Sequence, residues 1–180
     1  EAGVAKLRRR DFSGAIADLS KAIELDPRMD NAYAMRAVAK GSSGDAKGGV
    51  DDASKAIELN PKNMAAFMNR AVARRALGDF QGAIEDATNV LDEKPDDAMA
   101  WGFRAMANHA KGDFEATIQD ADKALKLDPR QAAFYAARAM AKRAMGNLAG
   151  AIADCDQALD LRPGDPECYR IRALARHQLQ

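Results

Sequence analysis

Five arginines, Arg36, Arg70, Arg104, Arg138 and Arg172, recur at intervals of 34 residues, and so do five aspartates, Asp18, Asp52, Asp86, Asp120 and Asp154. Two chemistries suit such rows. Unpaired, the arginines would form a ladder for an acidic ligand. Paired, each planar guanidinium would fork onto one carboxylate in a bidentate, partly buried bond. The one-to-one match of the two rows favours pairing, with each aspartate on an adjacent segment in the same repeat or the preceding one. Desolvation offsets much of the attraction in such a bond, so orientation and register are expected from it more than net stability.

Catalysis needs acid, base or nucleophile groups that converge. His109 and His177 stand two periods apart, and neither has a cysteine or serine at a spacing that suggests a partner. Cys155 replaces a small or aromatic core residue, where a buried thiol is expected. Cys168, at the start of the last helical segment, is expected to be exposed. The two cysteines are too few for a disulfide framework and lack metal-ligand spacing. The glycine-rich stretch KGSSGDAKGGV resembles a phosphate loop only superficially. The nucleotide-binding pattern needs Gly-Lys-Ser/Thr, and here Gly49 is followed by Val50 and Asp51. The expectation is therefore a non-enzymatic chain with no catalytic residue, no metal site and no cofactor.

The elements that position these groups follow from the same period. Prolines fall at Pro27, Pro61, Pro95, Pro129 and Pro163, and glycines at Gly44, Gly78, Gly112 and Gly146. Asp11, Asp45, Asp79, Asp113 and Asn147 form the next row, followed by Phe12, Phe80, Phe114 and Leu148 with Ala46 as its odd member. A strict period of this length means stacked units, none of which buries its apolar face alone. In the third unit, residues 64–77 carry Phe67, Ala71 and Leu77 at helical spacing and stop at Gly78, a natural helix terminator. Asp79 then sits as the N-cap of a second helix over about residues 80–93. Alanine rows at Ala37, Ala71, Ala105, Ala139 and Ala173, and at Ala15, Ala83 and Ala151, mark close approaches between helices. The fold expected is an all-α solenoid of antiparallel helix pairs. Ala46 and Gly49 make the second repeat the softest, since a glycine inside a helix costs about 1 kcal/mol against alanine.

Charge narrows the partners. Twenty-seven Lys and Arg balance 27 Asp and Glu, so no net field favours nucleic acid or an anionic membrane. No apolar run reaches the roughly 20 residues that cross a bilayer. Two cysteines mildly favour a reduced, intracellular setting, although a chain beginning at Glu1 is compatible with a processed leader.

These rows resemble the tetratricopeptide repeat family. The 34-residue period and the small–Gly–Asp–aromatic–Ala–Ile–Ala–Leu–Pro skeleton carry the resemblance, most fully in RALGDFQGAIEDATNVLDEKP and KGDFEATIQDADKALKLDP. It covers the whole chain, 1–180, as one array. Residues 30–63, 64–97, 98–131 and 132–165 are full repeats, 1–29 is a truncated first repeat, and 166–180 is the first helix of a sixth or a capping helix. The resemblance implies a right-handed superhelix whose concave face is lined by the first helix of each repeat, and a function in binding peptides or other proteins.

Under that layout three rows face the groove. One is Val4, Val38, Val72, Met106, Met140 and Leu174; beside it lie Met35, Met68, Met99 and Phe103; the third is Arg75, His109, Arg143 and His177. Methionine adapts to irregular partners, although the same residues could instead pack between helices. An apolar strip flanked by basic residues suits an amphipathic peptide with apolar anchors and acidic groups. Two recognition modes of the family find little support. The clamp for chaperone C-terminal carboxylates maps onto Ala34, Val38, Asn69, Met99 and Phe103, and the asparagine ladder of the glycosyltransferase-associated branch onto Met35, Asn69, Phe103, Ala137 and Ile171. Only Asn69 fits either. The last helix is only partly polar, so end-to-end self-association, a structural role, or a regulatory role in a longer protein is the alternative expectation.

Overall fold

The computed structural model describes the backbone of residues 2–178 and the side chains of residues 5–178. Those residues form eleven α-helices and no strand: α1 (Ala2–Arg8), α2 (Phe12–Leu25), α3 (Asp30–Ser42), α4 (Ala46–Leu59), α5 (Met64–Ala76), α6 (Phe80–Glu93), α7 (Ala98–Lys111), α8 (Phe114–Leu127), α9 (Ala132–Ala144), α10 (Leu148–Leu161) and α11 (Pro166–Gln178). The helices expected from the third repeat are α5 and α6. None of the eleven is long and apolar enough to cross a membrane.

The chain divides into two compact units, residues 1–90 and 91–180, at the last turn of α6. In the first, α2 packs on α1 and α3, α4 on α3 and α5, and α3 directly on α5. In the second, α8 packs on α7 and α9, α10 on α9 and α11, and α9 directly on both α7 and α11. Each unit is thus a stretch of all-α solenoid in which odd-numbered helices stack side by side.

Local chemistry sets the joints. Asp11, Asp45, Asp79, Asp113 and Asn147 each accept, at 2.8–3.0 Å, the backbone N–H of the residue three positions on, which opens α2, α4, α6, α8 and α10. Ahead of the caps, Gly44, Gly78, Gly112 and Gly146 adopt φ of +94°, +82°, +90° and +82°, a left-handed conformation that costs glycine nothing. The first repeat carries Arg10 at this place, and it takes φ +61° all the same. The periodic turn overrides the residue's own preference.

The helices close on alanine. Ala37, Ala71, Ala105 and Ala139 are buried, as are Ala15, Ala83 and Ala151. Ala173 is exposed, because its face of α11 meets no further helix among the described residues. Gly49 is buried between helices: a Cβ there would stand 3.2 Å from the Ala37 carbonyl oxygen, so the missing side chain lets α4 approach α3. Cys168 is buried, not exposed as its position near a helix start suggested. It stands one period after the buried Phe134 and enters a core with Cys155, Leu159 and Ile171. Burial pushes the Cys155 thiol up to about 12, with Cys168 contributing, and raises Cys168 as well.

In the second unit, Phe134 of α9 packs where Gly102 of α7 has no side chain, and a Cβ at Gly102 would fall 2.0 Å from the ring. Gly102→Ala is therefore expected to lower stability by about 1–3 kcal/mol through overpacking, despite alanine's better helix propensity. Chemical denaturation measures it, and adding Phe134→Leu should recover part of the loss.

Candidate interaction site

The two charged rows meet within single repeats. Arg36 Nε and NH2 donate to Asp52 at 2.8 and 2.7 Å. Arg70 forks onto Asp86 at 3.0 and 2.7 Å, Arg104 onto Asp120 at 2.9 and 2.8 Å, and Arg138 onto Asp154 at 2.9 and 2.6 Å. Each pair joins the first helix of a repeat to the second helix of the same repeat. The third guanidinium nitrogen reaches back one repeat, from Arg36 to Ser20 Oγ (3.0 Å) and from Arg70 to Ser54 Oγ (3.2 Å).

At the ends of the rows the pairing differs. Asp18 has an alanine, Ala2, where its arginine would stand, and it is held by Lys6 at 2.9 Å. Arg172 has no same-repeat aspartate in the sequence and turns back to Asp156 at 2.6 Å.

Two further rows complete the network. Lys40, Arg74, Asn108 and Lys142 supply a second donor to Asp52, Asp86, Asp120 and Asp154 at 2.8–2.9 Å. The arginines lie over Tyr33, Phe67, Trp101, Tyr135 and Tyr169, three residues earlier on the same helix, with guanidinium carbons 4.6–5.6 Å from the ring centres. Both rows keep the 34-residue step and were missed at the sequence level, because their residue types vary. With the forks of Arg36, Arg70, Arg104 and Arg138 engaged and Arg172 bound to Asp156, these arginines are not a free ladder for an acidic ligand.

The Asp52 carboxyl is pulled in two directions. Burial, the largest influence, raises it, but the bonds from Arg36 and Lys40 win and hold it below the ordinary carboxylate range.

The residues expected in the groove fall into three situations. Val38, Val72 and Leu174 are each about two-fifths exposed (39%, 40% and 39%), and Met99 is 46% exposed. Met68, Asn69, Phe103 and Met106 are half-buried. Met35 is half-buried against the α2–α3 core of Leu19, Ile23 and Ala32, and Met140 against Ala136, Ala139 and Ala151. These two methionines serve the packing between helices. The side chain of Val4 lies outside the described residues.

Asn69 does not stand free. Its Nδ2 donates to the Ala34 carbonyl at 3.0 Å, tying α5 to α3. Val38, Asn69 and Val72 line one apolar cavity of ≈ 280 Å³ in the first unit.

The basic row is half-buried at Arg75, His109 and Arg143 and exposed at His177. Arg75 Nε and Arg143 Nε are buried without a hydrogen-bond acceptor. Burial lowers the His109 pKa below its usual value and Arg143 lowers it further, against an upward pull from Glu167. The neutral form of His109 is thereby favoured, which makes the row less basic than its residue types suggest. Among the described residues, no group of three or more His, Cys, Asp or Glu is arranged to hold a metal ion.

The tetratricopeptide repeat family model matches residues 34–89, 68–132 and 112–166. The chain is a tetratricopeptide repeat protein. No curated protein matches it by sequence. Among solved structures, a thermophilic tetratricopeptide repeat protein of Thermus thermophilus, TTC0263, is 19% identical over 97% of this chain and 95% of its own, with a TM-score of 0.79. YrrB, described as having an unusual peptide-binding site, is 18% identical over 95% of this chain and 88% of its own, TM-score 0.75. The first repeat domain of Spaghetti (RPAP3), solved with the HSP90 peptide SRMEEVD, is 21% identical over 66% of this chain and 94% of its own, TM-score 0.63. At these identities the likeness is one of fold. Tetratricopeptide repeat proteins generally mediate protein–protein interaction.

Three measurements test this network. Asp86→Ala leaves Arg70 and Arg74 facing an empty, buried site and is expected to cost about 3–5 kcal/mol in chemical denaturation. The stability supplied by Asp52 is complete above its unfolded value of about 3.9 and is lost as pH falls through its depressed folded value. Asp52→Asn should therefore flatten that limb of an acid stability profile. In an NMR titration His109 should show a midpoint below about 6.5; Arg143→Gln should raise that midpoint and Glu167→Gln should lower it.

Proposed function

We propose that the chain is a non-enzymatic scaffold that binds a peptide or a partner protein through exposed side chains of its odd-numbered helices. The observation that carries this reading is the exposure of apolar side chains on these helices: Val38 and Val72, at one repeat position of the first unit, and Met99 and Leu174 in the second. Folding leaves large apolar groups in water only at a cost, and the recurrence of exposed valines at one position of two consecutive repeats supports a binding role. Such residues would supply most of the affinity. Arg75 and Arg143, half-buried and cationic, would favour a ligand with acidic groups, giving orientation and association rate.

The arginine–aspartate rows are proposed as the structural component, holding each helix pair at a set angle so that the face keeps its shape. Its carboxylates and guanidiniums are spent on one another, which also speaks against a converging catalytic set. Self-association through the ends of the array is the competing reading, with exposed Leu174 and Tyr169 on α11 as its motive.

Cross-linked capture from the source cell, with the native chain beside Val72→Glu and Met106→Glu variants of unchanged circular dichroism, tests the proposal. Affinity for the captured partner should fall about tenfold or more in at least one variant. A partner set that survives both substitutions removes the proposed face. Recovery of the chain alone, with a mass that rises with concentration, replaces the scaffold by an assembly.

A further inference from the structure

The cavity in the first unit arises from two departures in the second repeat. One period separates equivalent places, so Gly41 corresponds to Arg75, His109 and Arg143, and Ala46 corresponds to Phe80, Phe114 and Leu148. In the fourth repeat both places are filled, and the rings of His109 and Phe114 stand 5.7 Å apart at a tilt of 54°. In the second repeat both are nearly bare. A Cβ added at Gly41 would meet nothing within 4 Å. The space left over is the ≈ 280 Å³ cavity, lined by the buried Ala37 and Ala73, the half-buried Ala46 and the exposed Val38 and Val72.

Its lining is almost wholly apolar, so water inside it finds few partners. The volume is ample for one aromatic ring, since an apolar cavity of roughly 150 Å³ already holds benzene. The chain itself shows what fits: at the matching place of the third and fourth repeats it inserts its own phenylalanine. The mouth is continuous with Val38 and Val72, the groove positions identified above. Asn69, beside it, has Nδ2 engaged by Ala34, which leaves Oδ1 to accept from a backbone N–H of a bound strand.

We propose that this cavity is a specificity pocket that takes a single aromatic side chain, phenylalanine before all others, from a bound peptide. This rests on the groove-binding reading and sharpens it, because the second repeat supplies from its partner the ring that it lacks in its own sequence. The aromatic residue anchors the peptide, and its burial supplies affinity without any charged contact.

The test uses the whole chain and two variants that fill the pocket from different helices, Ala46→Phe from α4 and Gly41→Leu from α3. N-acetyl-phenylalaninamide titrated into the native protein should shift the amide resonances of Gly41, Ser42, Ala46, Val72 and Ala73, while N-acetyl-alaninamide should not. Both filled variants should lose those shifts, and either suffices if the other fails to fold.

A second arm selects peptides from a random display library on the native chain. Selected peptides should share an aromatic residue, and their affinity should drop at least about tenfold on Ala46→Phe or Gly41→Leu. Peptides without an aromatic residue that bind native and filled chains alike, yet are lost on Val72→Glu, overturn the pocket and leave the groove standing. Peptides indifferent to all three substitutions overturn both. Absence of pocket shifts with N-acetyl-phenylalaninamide, or equal shifts in the filled variants, also overturns the pocket.

Discussion

A buried aspartate that must not be left alone organises this molecule. Asp52, Asp86, Asp120 and Asp154 lie inside the helix pairs with 5% exposure or less, where an unpaired carboxylate would be costly. Each is met by a forked arginine and by a second donor, and each arginine is covered on its other side by an aromatic ring. None of these groups can turn away without stranding the others. The angle between two helices is thereby set by hydrogen-bond geometry, not only by the slippery contact of alanine on alanine. The choice of alanine at Ala37, Ala71, Ala105 and Ala139 then follows, since only small residues let the helices come close enough for a guanidinium to bridge them.

Much of this was legible in the sequence because the period is strict. The extents of α5 and α6, the caps, the left-handed glycines and the matched arginine and aspartate rows each lie at positions that repeat without slip. The direction of pairing was not legible. Arg36 is 18 residues after Asp18 and 16 before Asp52, and only the packing of α3 against α4 selects the second. The aromatic row Tyr33, Phe67, Trp101, Tyr135 and Tyr169 escaped notice for a different reason: its chemistry is shared while its residue type changes. Cys168 was misjudged from its place near a helix start, whereas its repeat position, shared with Phe134, determines its burial.

The groove was the least legible part. Spacing places Val38 and Met35 side by side on α3, yet one is exposed and the other leans on the α2–α3 core. Such differences arise from neighbouring helices and not from the segment itself. The deficit at Gly41 and Ala46 could be seen as two small residues in a row of large ones. That it becomes a cavity, and is not closed by collapse of α5 onto α3, is a matter of tertiary structure. The forked arginines and the Asn69–Ala34 bond hold the helices at their spacing, so the space persists.

The offset of 16 residues between each internal arginine and its aspartate has an ancestral meaning. Both partners of a bond, together with the second donor and the covering ring, lie inside one block of 34 residues. A gene segment encoding that block, copied or deleted in frame, carries its charge balance with it and strands no buried ion in its neighbours. The bonds that cross from one block to the next end outside the buried carboxylates: on Ser20 and Ser54, on the more exposed Asp122 and Asp156, and on the Ala34 carbonyl. An array wired in this way can lengthen or shorten by whole blocks, and a block such as the second can drift in its surface lining while its internal wiring stays intact.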